Sequence, residues 1–289
     1  MPLLTVITPT HNSAEALRPL YESLSTQTIR DVQWIVADDG STDTTRPLTE
    51  KFAAERRIDV HYIPSAGRGK LRAVINSISK ARGKFTSVIE PGLILPEYAV
   101  EAVRDMWEEY YEGRYAGLLT LDCSVEDTDP RSPLDMTYFR SYSYPTLALG
   151  KSRGDLRPVV LTELMLRALT IELPEEEDEA PTELLWLATI GDTPLSATEV
   201  AFCLKEYPTG WDVVKTDPYK PLRRAPRSHL DMYRRLASSK SIGRIDRIRA
   251  AAHALALSRL TGDPSGVPAA LRLAALPGSY LIGRRINKK

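Results

Sequence analysis

The sequence predicts an α/β fold, in which a mostly parallel sheet is flanked by helices and followed by a helical C-terminal region. Short β-branched apolar runs alternate with amphipathic helical segments across residues 1–122. Because each strand is followed by a helix, this alternation favours parallel strands joined by right-handed crossovers. Beyond residue 222 the pattern becomes helical and basic.

Two strand–loop–helix units open the chain. Residues 3–9 (LLTVITP) form the first predicted strand, and Asn12 with Glu15 has the spacing of a capping box at the start of a helix. Residues 32–37 (VQWIVA) form the second strand, which ends at Asp38. The same alternation predicts strands at 60–63, 85–89 and 117–122 and helices at 44–54, 69–81 and 96–111.

The second half of the chain is less regular. Residues 159–170 have the spacing of a helix, residues 173–182 form an acidic loop, and a further helix follows at Leu184. Residues 196–206 indicate a strand, and two basic helices are expected after His229. We therefore predict three parts, at residues 1–122, 123–221 and 222–289.

The composition is that of an ordinary globular protein, with 43% hydrophobic and 26% charged residues. The N-terminus has no basic stretch followed by an apolar segment, and no run approaches the roughly 18 apolar residues of a membrane span. We therefore expect a cytoplasmic protein. Cys123 and Cys203 lie far apart and outside any metal-binding spacing, which indicates two reduced thiols.

Charge is distributed unevenly, although 38 Lys and Arg balance 38 Asp and Glu. Residues 222–289 hold 15 basic and 3 acidic residues, so the rest of the chain is correspondingly acidic. Such a tail is expected either to meet an anionic partner or to pack on its own acidic body.

Polar residues follow the first two predicted strands. Pro9, His11 and Asn12 end the first, and Asp38 with Asp39 ends the second. Ligands of parallel α/β sheets bind beyond the carboxyl ends of the strands, where a carboxylate can accept the N–H of a pyrimidine and lie beside ribose hydroxyls. Turn and helix-cap chemistry explains either group alone, but both groups in this order and spacing favour a nucleotide site.

These two segments, residues 5–28 (TVITPTHNSAEALRPLYESLSTQT) and 32–45 (VQWIVADDGSTDTT), resemble the opening of family 2 glycosyltransferases. The resemblance implies a GT-A-like, Rossmann-type sheet whose first half binds a nucleotide-sugar donor, a UDP- or dTDP-sugar. It implies that Pro9, His11 and Asp39 lie near the base and ribose. The family usually has Tyr where His11 stands, and an imidazole also stacks on a base.

A glycine-rich segment, residues 67–72 (GRGKLR), follows the third predicted strand. Its glycines allow the backbone to turn tightly near a ligand, and Lys70 and Arg72 are suited to neutralising a diphosphate. The resembling family has a Gly-Lys-x-Arg-Ala pattern here. The alternative is a solvated basic helix start, which the helix dipole makes unfavourable. We therefore favour a phosphate-binding role.

The segment after the fourth strand departs from the resembling family. The family has an Asp-x-Asp pattern whose late Asp holds Mn²⁺ or Mg²⁺ against the diphosphate, and such hard cations need carboxylate oxygens. Here the sequence reads EPGL from Glu90, so Gly92 replaces the usual acidic ligand. Three explanations stay open: Glu90 holds the metal with other groups, Lys70 and Arg72 replace the metal, or catalysis has been lost. Without a metal, Glu90 would contact the ribose.

Sugar transfer with inversion needs a general base near the acceptor hydroxyl, and a positioned carboxylate is the usual choice. The resembling family keeps this acid near the start of a helix in its second half. The candidates here are Glu177, Asp178, Glu179 and Glu183, of which we prefer Glu183 and Glu179. A solvated acidic loop ahead of a helix is the alternative interpretation.

The C-terminal arginines alternate with apolar residues, as in Arg244, Ile245, Arg247 and Ile248. A basic amphipathic pattern suits peripheral contact with the inner face of an anionic membrane, and many members of the resembling family act on lipid-linked acceptors. Self-association through these helices, or packing on the acidic body, is an equal alternative. No aromatic residues alternate with the arginines, which argues against nucleic acid as a partner.

Together with the resemblance, these residues predict a glycosyltransferase of polysaccharide or glycoconjugate biosynthesis. It would move a sugar to a hydroxyl acceptor, a glycan or a small molecule, with inversion at the anomeric carbon. Residues 1–122 would bind the donor and residues 123–221 the acceptor. The rival is a catalytically inactive sugar-nucleotide-binding partner protein. A nucleotidyltransferase is disfavoured because no glycine-rich phosphate loop follows the first strand.

Overall fold

The strands of the protein form one sheet in the computed structural model, which describes residues 1–110, 114–124, 141–149, 155–205 and 219–287. The described strands are β1 (Leu4–Thr10), β2 (Val32–Asp38), β3 (Asp59–Pro64), β4 (Phe85–Val88), β5 (Leu93–Ile94), β6 (Gly117–Ser124), β7 (Ser141–Tyr142), β8 (Asp155–Leu161) and β9 (Leu195–Lys205). Their order along the sheet is β3-β2-β1-β4-β8-β6-β9-β5, and β7 pairs with β9.

Helices connect these strands and make up the described chain after β9. They are α1 (Ala14–Ser25), α2 (Thr45–Glu55), α3 (Lys70–Ile78), α4 (Ala99–Tyr110), α5 (Tyr144–Ala148), α6 (Thr162–Met165), α7 (Glu183–Thr189), α8 (Lys220–Arg224), α9 (Pro226–Ser238), α10 (Arg244–Thr261) and α11 (Ala269–Ile286). A 3₁₀-helix, Leu166–Thr170, directly follows α6.

The parallel half of the sheet brings the first two loops together. Strand β1 pairs in parallel with β2 and β4, and β2 pairs in parallel with β3. Thr10 lies opposite Asp38, so β1 and β2 end at the same level. Every residue of β1, β2 and β4 is buried, as expected of parallel strands covered on both faces. The predicted α/β class is confirmed.

Strand β8 interrupts this parallel order. It runs antiparallel between β4 and β6, where Thr86 lies opposite Val160. The prediction of a helix at 159–170 was wrong over its first residues, because helix begins only at Thr162. Val159 and Val160 are both fully buried, since successive strand residues face opposite sides of the sheet. Their branched side chains suit this two-sided burial better than a helix surface.

An aromatic stack joins α1 and α2 to the sheet. The ring centroids of Tyr21 and Phe52 lie 4.0 Å apart, and the Tyr21 ring lies 6.0 Å from that of Trp34 in β2. The Tyr21 hydroxyl donates to Glu55 at 2.8 Å. Burial, reinforced by this hydrogen bond, raises the pKa of Tyr21 to about 12. The stack buries large apolar area while its two polar groups stay hydrogen-bonded, since the Trp34 indole N–H donates to the Thr8 hydroxyl at 2.9 Å.

The chain divides into two compact units. The first comprises Met1–Tyr142, Ser152–Leu169 and Thr193–Trp211, and the second comprises Ser143–Lys151, Thr170–Asp192 and Asp212–Lys289. The first unit contains the sheet, and the described elements of the second are helices. The division into three parts that the sequence suggests stays a prediction.

Three helices, α9, α10 and α11, end the described chain, so the prediction of two was wrong. The chain leaves the helical conformation at Ser239, and Asp192 holds this break by accepting the Ser239 hydroxyl at 2.5 Å and the Lys240 N–H at 3.0 Å. Helices α10 and α11 approach closely, because a Cβ added at Gly278 would lie 3.1 Å from that of Ala252. None of the described helices combines the length and hydropathy that crossing a membrane requires.

We predict that Gly117→Ala destabilises the first unit, because an added Cβ would lie 2.2 Å from the carbonyl oxygen of Val159 in β8. Overpacking of this kind costs about 1–3 kcal/mol of unfolding free energy. Urea denaturation followed by circular dichroism measures the loss. The matched control is Gly283→Ala, since a Cβ there would meet nothing within 4 Å and alanine favours a helix. Wild-type stability in Gly117→Ala would contradict the close approach of β6 and β8.

Candidate active site

The loops after β1 and β2 interlock at the carboxyl edge of the sheet. The Asp39 N–H donates to the Thr10 carbonyl at 2.8 Å, and His11 Nδ1 donates to the Asp39 carbonyl at 2.8 Å. The other ring nitrogen, Nε2, lies 3.2 Å from the Asn12 amide nitrogen, which donates to it. These two contacts orient the exposed imidazole beside Asp39.

The sequence predicts that Asn12 caps the helix that follows it, but in the structure Asn12 does not do so. It has a φ of 49°, and this left-handed backbone turns its side chain toward the loop after β2. There Asn12 Oδ1 accepts the N–H groups of Thr42 at 2.8 Å and Asp43 at 3.2 Å. In return, Asp43 Oδ2 accepts the N–H of Ala14, the first residue of α1, at 3.2 Å. The two loops thus cap each other.

The Asp38 side chain is buried and turned toward β3. Its Oδ1 accepts the Ser41 hydroxyl at 2.5 Å, and its Oδ2 accepts the Tyr62 hydroxyl at 2.5 Å. Burial first, and then this bond to a carboxylate, raises the pKa of Tyr62. Asp38 therefore fixes the turn after β2.

The Asp39 carboxylate ties β2 to the start of α3. It is buried, and both of its oxygens accept the Gly69 N–H, at 3.1 and 3.0 Å. The Ser65 hydroxyl lies 3.4 Å from Oδ1. Because Gly69 immediately precedes α3, the carboxylate lies at the N-terminus of that helix, where the helix dipole favours negative charge.

Two glycines allow the loops after β2 and β3 to touch. A Cβ added at Gly40, whose φ is +77°, would lie 2.9 Å from the Cα of Gly67, whose φ is +69°. Glycine is the residue that tolerates both the positive φ and the backbone contact. Backbone packing thus brings the GRGKLR segment beside Asp39.

Lys70 and Arg72 occupy the first turn of α3. Lys70 is the first residue of the helix and is exposed, whereas Arg72 is half-buried and its Nε donates to the Arg68 carbonyl at 3.4 Å. Cations at a helix N-terminus are opposed by the helix dipole, which favours anions there. The arrangement is suited to binding an anionic group beside Asp39.

Glu90 follows β4 but does not lie in a cluster of carboxylates. Its side chain is 49% exposed, and its Oε2 lies 3.0 Å from Nη1 of Arg157. Gly92 has no side chain, and Leu93 is buried. Within the described ranges, no three or more His, Cys, Asp or Glu side chains group in a way that could hold a metal ion. Of residues 90–93, Glu90 alone supplies a side-chain carboxylate, and that carboxylate is already paired with Arg157.

Arg157 of β8 lies beside Glu90, and the sequence analysis did not single it out. Its Nε and Nη2 donate to the two oxygens of Asp122 at 2.9 and 2.6 Å, and its Nη1 donates to the Val88 carbonyl. Burial alone would lower the pKa of Arg157, but the nearby acidic groups raise it, so the guanidinium stays charged. The available signal was a single arginine within an apolar run, DLRPVVL.

The candidate bases lie in the second unit. Glu183 begins α7 and is half-buried; burial and then the Glu183 charge raise the pKa of Tyr233 to about 12. Glu179 forms an ion pair with Arg224. Glu177 is buried and caps α9, accepting the N–H groups of residues 227 and 228.

The predicted residues thus fall into two groups. Within the first unit, the structure brings His11 and Asn12 to Asp38 and Asp39, with Pro9 buried at the end of β1. Lys70 and Arg72 come directly after Gly69, whose N–H donates to Asp39. Glu90 comes after β4, which pairs in parallel with β1. Glu179 and Glu183 belong to the second unit.

Residues 5–145 match the family model described as glycosyl transferase family 2. Among curated proteins, the chain is 28% identical over 182 residues to the putative glycosyltransferase EpsH of Bacillus subtilis, covering 60% of this chain and 51% of EpsH. It is 28% identical over 135 residues to validoxylamine A glucosyltransferase of Streptomyces hygroscopicus subsp. jinggangensis, covering 46% and 31%. The chain therefore spans about half, or less, of these relatives.

Solved structures share the fold. The structure of S. aureus TarS 1-349 in complex with UDP-GlcNAc aligns with a TM-score of 0.60 and 17% identity, covering 98% of this chain and 89% of that one. The mannosyltransferase PcManGT from Pyrobaculum calidifontis, in complex with GDP-Man and Mn²⁺, aligns with a TM-score of 0.57 and 15% identity, covering 99% and 88%.

These alignments confirm the GT-A-like arrangement that the resemblance implied. The residues that match the family model include His11, Asp39 and Lys70, and all three residues belong to the first unit. Residues 5–145, about half of the chain, are therefore similar to glycosyl transferase family 2.

Proposed function

We propose that this chain is a glycosyltransferase that moves a sugar from a UDP- or dTDP-sugar to a hydroxyl acceptor, with inversion at the anomeric carbon. The observation that carries the proposal is the Asp39 carboxylate, which closes β2 beside the fixed imidazole of His11 within the family segment. The likeness to a TarS fragment solved with UDP-GlcNAc supports a nucleotide sugar as the donor.

The donor would lie across the carboxyl edge of β1 and β2. Asp39 would accept the N–H of the pyrimidine, and the His11 ring would stack on the base or meet the ribose. Lys70 and Arg72 would neutralise the diphosphate from the first turn of α3. Of the two acids after β2, Asp39 is the better nucleotide ligand, because Asp38 already bonds Ser41 and Tyr62.

Inversion requires one displacement at the anomeric carbon. A general base takes the proton of the acceptor hydroxyl, the oxygen forms the new bond to carbon, and the diphosphate leaves with the electron pair of the broken bond. We favour Glu183 over Glu179 as this base. The Glu179 carboxylate pairs with Arg224, so protonation would break an ion pair, whereas Glu183 is half-buried beside Tyr233.

A catalytically inactive nucleotide-sugar-binding protein is the second candidate. The absence of a metal-binding cluster among the described residues favours it, because the family that the sequence resembles has a divalent ion against the diphosphate. The two candidates differ in turnover. Both bind the donor, and only the first releases nucleotide diphosphate from it.

We further propose that the protein is cytoplasmic and contacts an anionic membrane surface through α11. The face of α11 opposite its packed side carries Leu273, 83% exposed, and Tyr280, 62% exposed. The helix contains no acidic residue, and Arg272, Arg284 and Arg285 flank the apolar side chains. Exposed apolar and basic residues on one helix suit insertion at a lipid headgroup boundary.

Asp39→Asn should weaken binding of UDP and dTDP by about tenfold or more, because the pyrimidine loses a charged acceptor. Isothermal titration calorimetry measures the affinities. Asp59→Asn is the matched control: Asp59 is a partly exposed acid at the start of β3, at the opposite edge of the sheet. Wild-type affinity in Asp39→Asn would remove Asp39 from the nucleotide site.

Glu183→Gln should lower turnover by roughly 10²–10⁴-fold while leaving donor affinity unchanged, because the amide cannot accept the hydroxyl proton. Turnover is measured as nucleotide diphosphate released from a panel of UDP- and dTDP-sugars, with a glycan and lipid extract as the source of acceptors. Glu179→Gln is the comparison and should keep most activity. A loss confined to Glu179→Gln would exchange the two roles, and binding without turnover in the wild type would favour the inactive candidate.

Leu273→Ser combined with Tyr280→Ser should reduce binding to phosphatidylglycerol vesicles by more than about tenfold, because two buried apolar side chains are lost from the lipid contact. Vesicle cosedimentation measures the binding. Leu166→Ser with Leu169→Ser is the control, since these leucines are each 49% exposed in the first unit. Equal binding of wild type and the α11 variant would refute lipid contact. If the molar mass of the wild type rises with protein concentration and that of the α11 variant does not, α11 mediates self-association instead.

A further inference from the structure

A buried cation lies at the end of β4, where the sequence led us to look for a metal. Arg157 of β8 is 10% exposed at its side chain, and the Asp122 side chain that it grips is 3% exposed. The guanidinium also donates to the carbonyl of Val88, the last residue of β4. Its charged head is thus at the carboxyl edge of the sheet, the edge at which β1 and β2 also end.

The guanidinium is fixed from three strands. Two of its nitrogens bond the Asp122 carboxylate of β6 in a fork, and the third bonds the Val88 carbonyl of β4. Strand β8, which carries Arg157, lies between these two strands. A planar guanidinium held in this way has little freedom left to move, so its positive charge has a defined position.

This fixed charge determines what Glu90 can do. Glu90 Oε2 lies 3.0 Å from Arg157 Nη1, so the half-exposed carboxylate already has a cationic partner. A divalent ion bound by Glu90 would be placed within a few ångströms of the guanidinium and repelled by it. Neither Gly92 nor Leu93 supplies a second oxygen ligand to offset that repulsion.

We propose that Arg157 is the built-in counter-ion of the donor site, and that the donor diphosphate binds here without a divalent metal. Arg157 is a positioning residue in this proposal, which rests on the proposed function. It neutralises Glu90, whose charge would otherwise repel the diphosphate, while Lys70 and Arg72 provide the direct phosphate contacts. The arrangement adds a third, buried cation to the explanation in which Lys70 and Arg72 replace the metal.

The first test measures UDP and uridine binding by calorimetry in EDTA and in Mn²⁺. We expect wild-type UDP affinity to be the same in both buffers, and electron paramagnetic resonance to detect no Mn²⁺ bound to the protein. UDP binding that requires Mn²⁺, or a bound Mn²⁺ signal that Glu90→Gln removes, would overturn the proposal. Failure of UDP and dTDP to bind in either buffer would instead contradict the proposed function, and this inference would then fail as well.

The sign of the Glu90→Gln effect separates the two roles of Glu90. If Arg157 neutralises a repulsive carboxylate, Glu90→Gln leaves UDP affinity in EDTA unchanged or raises it by up to about tenfold. If Glu90 is a metal ligand, the same variant weakens UDP binding in Mn²⁺ and leaves uridine binding unchanged. A ribose contact through Glu90 would weaken UDP and uridine equally. Either form of weakening contradicts the proposal.

Removing Arg157 alone would take the cationic partner away from the buried Asp122 carboxylate, so the variant for binding is Arg157→Gln with Asp122→Asn. We expect it to lose about tenfold in UDP affinity in EDTA while uridine affinity stays unchanged, because only the diphosphate meets the unmasked charge of Glu90. Adding Glu90→Gln should restore UDP affinity. Circular dichroism checks that each variant is folded. Equal loss of UDP and uridine affinity, or no rescue by Glu90→Gln, would assign Arg157 a structural role only.

Discussion

The bond between the Asp39 carboxylate and the Gly69 N–H is the contact on which the candidate site depends. It joins the end of β2 to the start of α3, and it therefore sets where Lys70 and Arg72 stand relative to the loops after β1 and β2. The helix dipole favours the acid and opposes the two cations at the same helix end. Part of the cost of placing those cations is therefore offset by the acid next to them, and an anionic ligand would offset more.

Asp39 can hold this bond and still bind a nucleotide, because an ionised carboxylate has about four acceptor directions. The Gly69 N–H contacts both of its oxygens and the Ser65 hydroxyl lies 3.4 Å from Oδ1, which leaves acceptor directions for a ligand. Asp38 differs, since the Ser41 and Tyr62 hydroxyls each contact one of its oxygens at 2.5 Å. Two adjacent acids of identical chemistry thus have different surroundings, and of the two we propose Asp39 as the nucleotide ligand.

The parallel half of the fold could be predicted from the sequence because each strand there is a short apolar run followed at once by its helix. The same regularity predicted that the loops after β1 and β2 lie at one edge of the sheet, where the structure places His11 against Asp39. It could not predict β8, because Val159 and Val160 belong to a strand inserted from later in the chain, and their neighbours in β4 and β6 are far away in sequence. Arg157 was missed for the same reason. Asn12 has the local spacing of a helix cap, but a positive φ turns it to a different loop.

The ion pair of Arg157 and Asp122 is more informative about function than about stability. Desolvating two charges offsets most of their attraction, and apolar residues of similar volume often replace a buried pair without loss of stability. The buried Cys203 thiol lies opposite Asp122 in the neighbouring strand, and burial raises its pKa. The contacts of Arg157 extend beyond the pair, because its guanidinium also lies 3.0 Å from the half-exposed Glu90 carboxylate after β4. A buried pair that adds little stability is thus consistent with the role that we propose for Arg157 at the donor site.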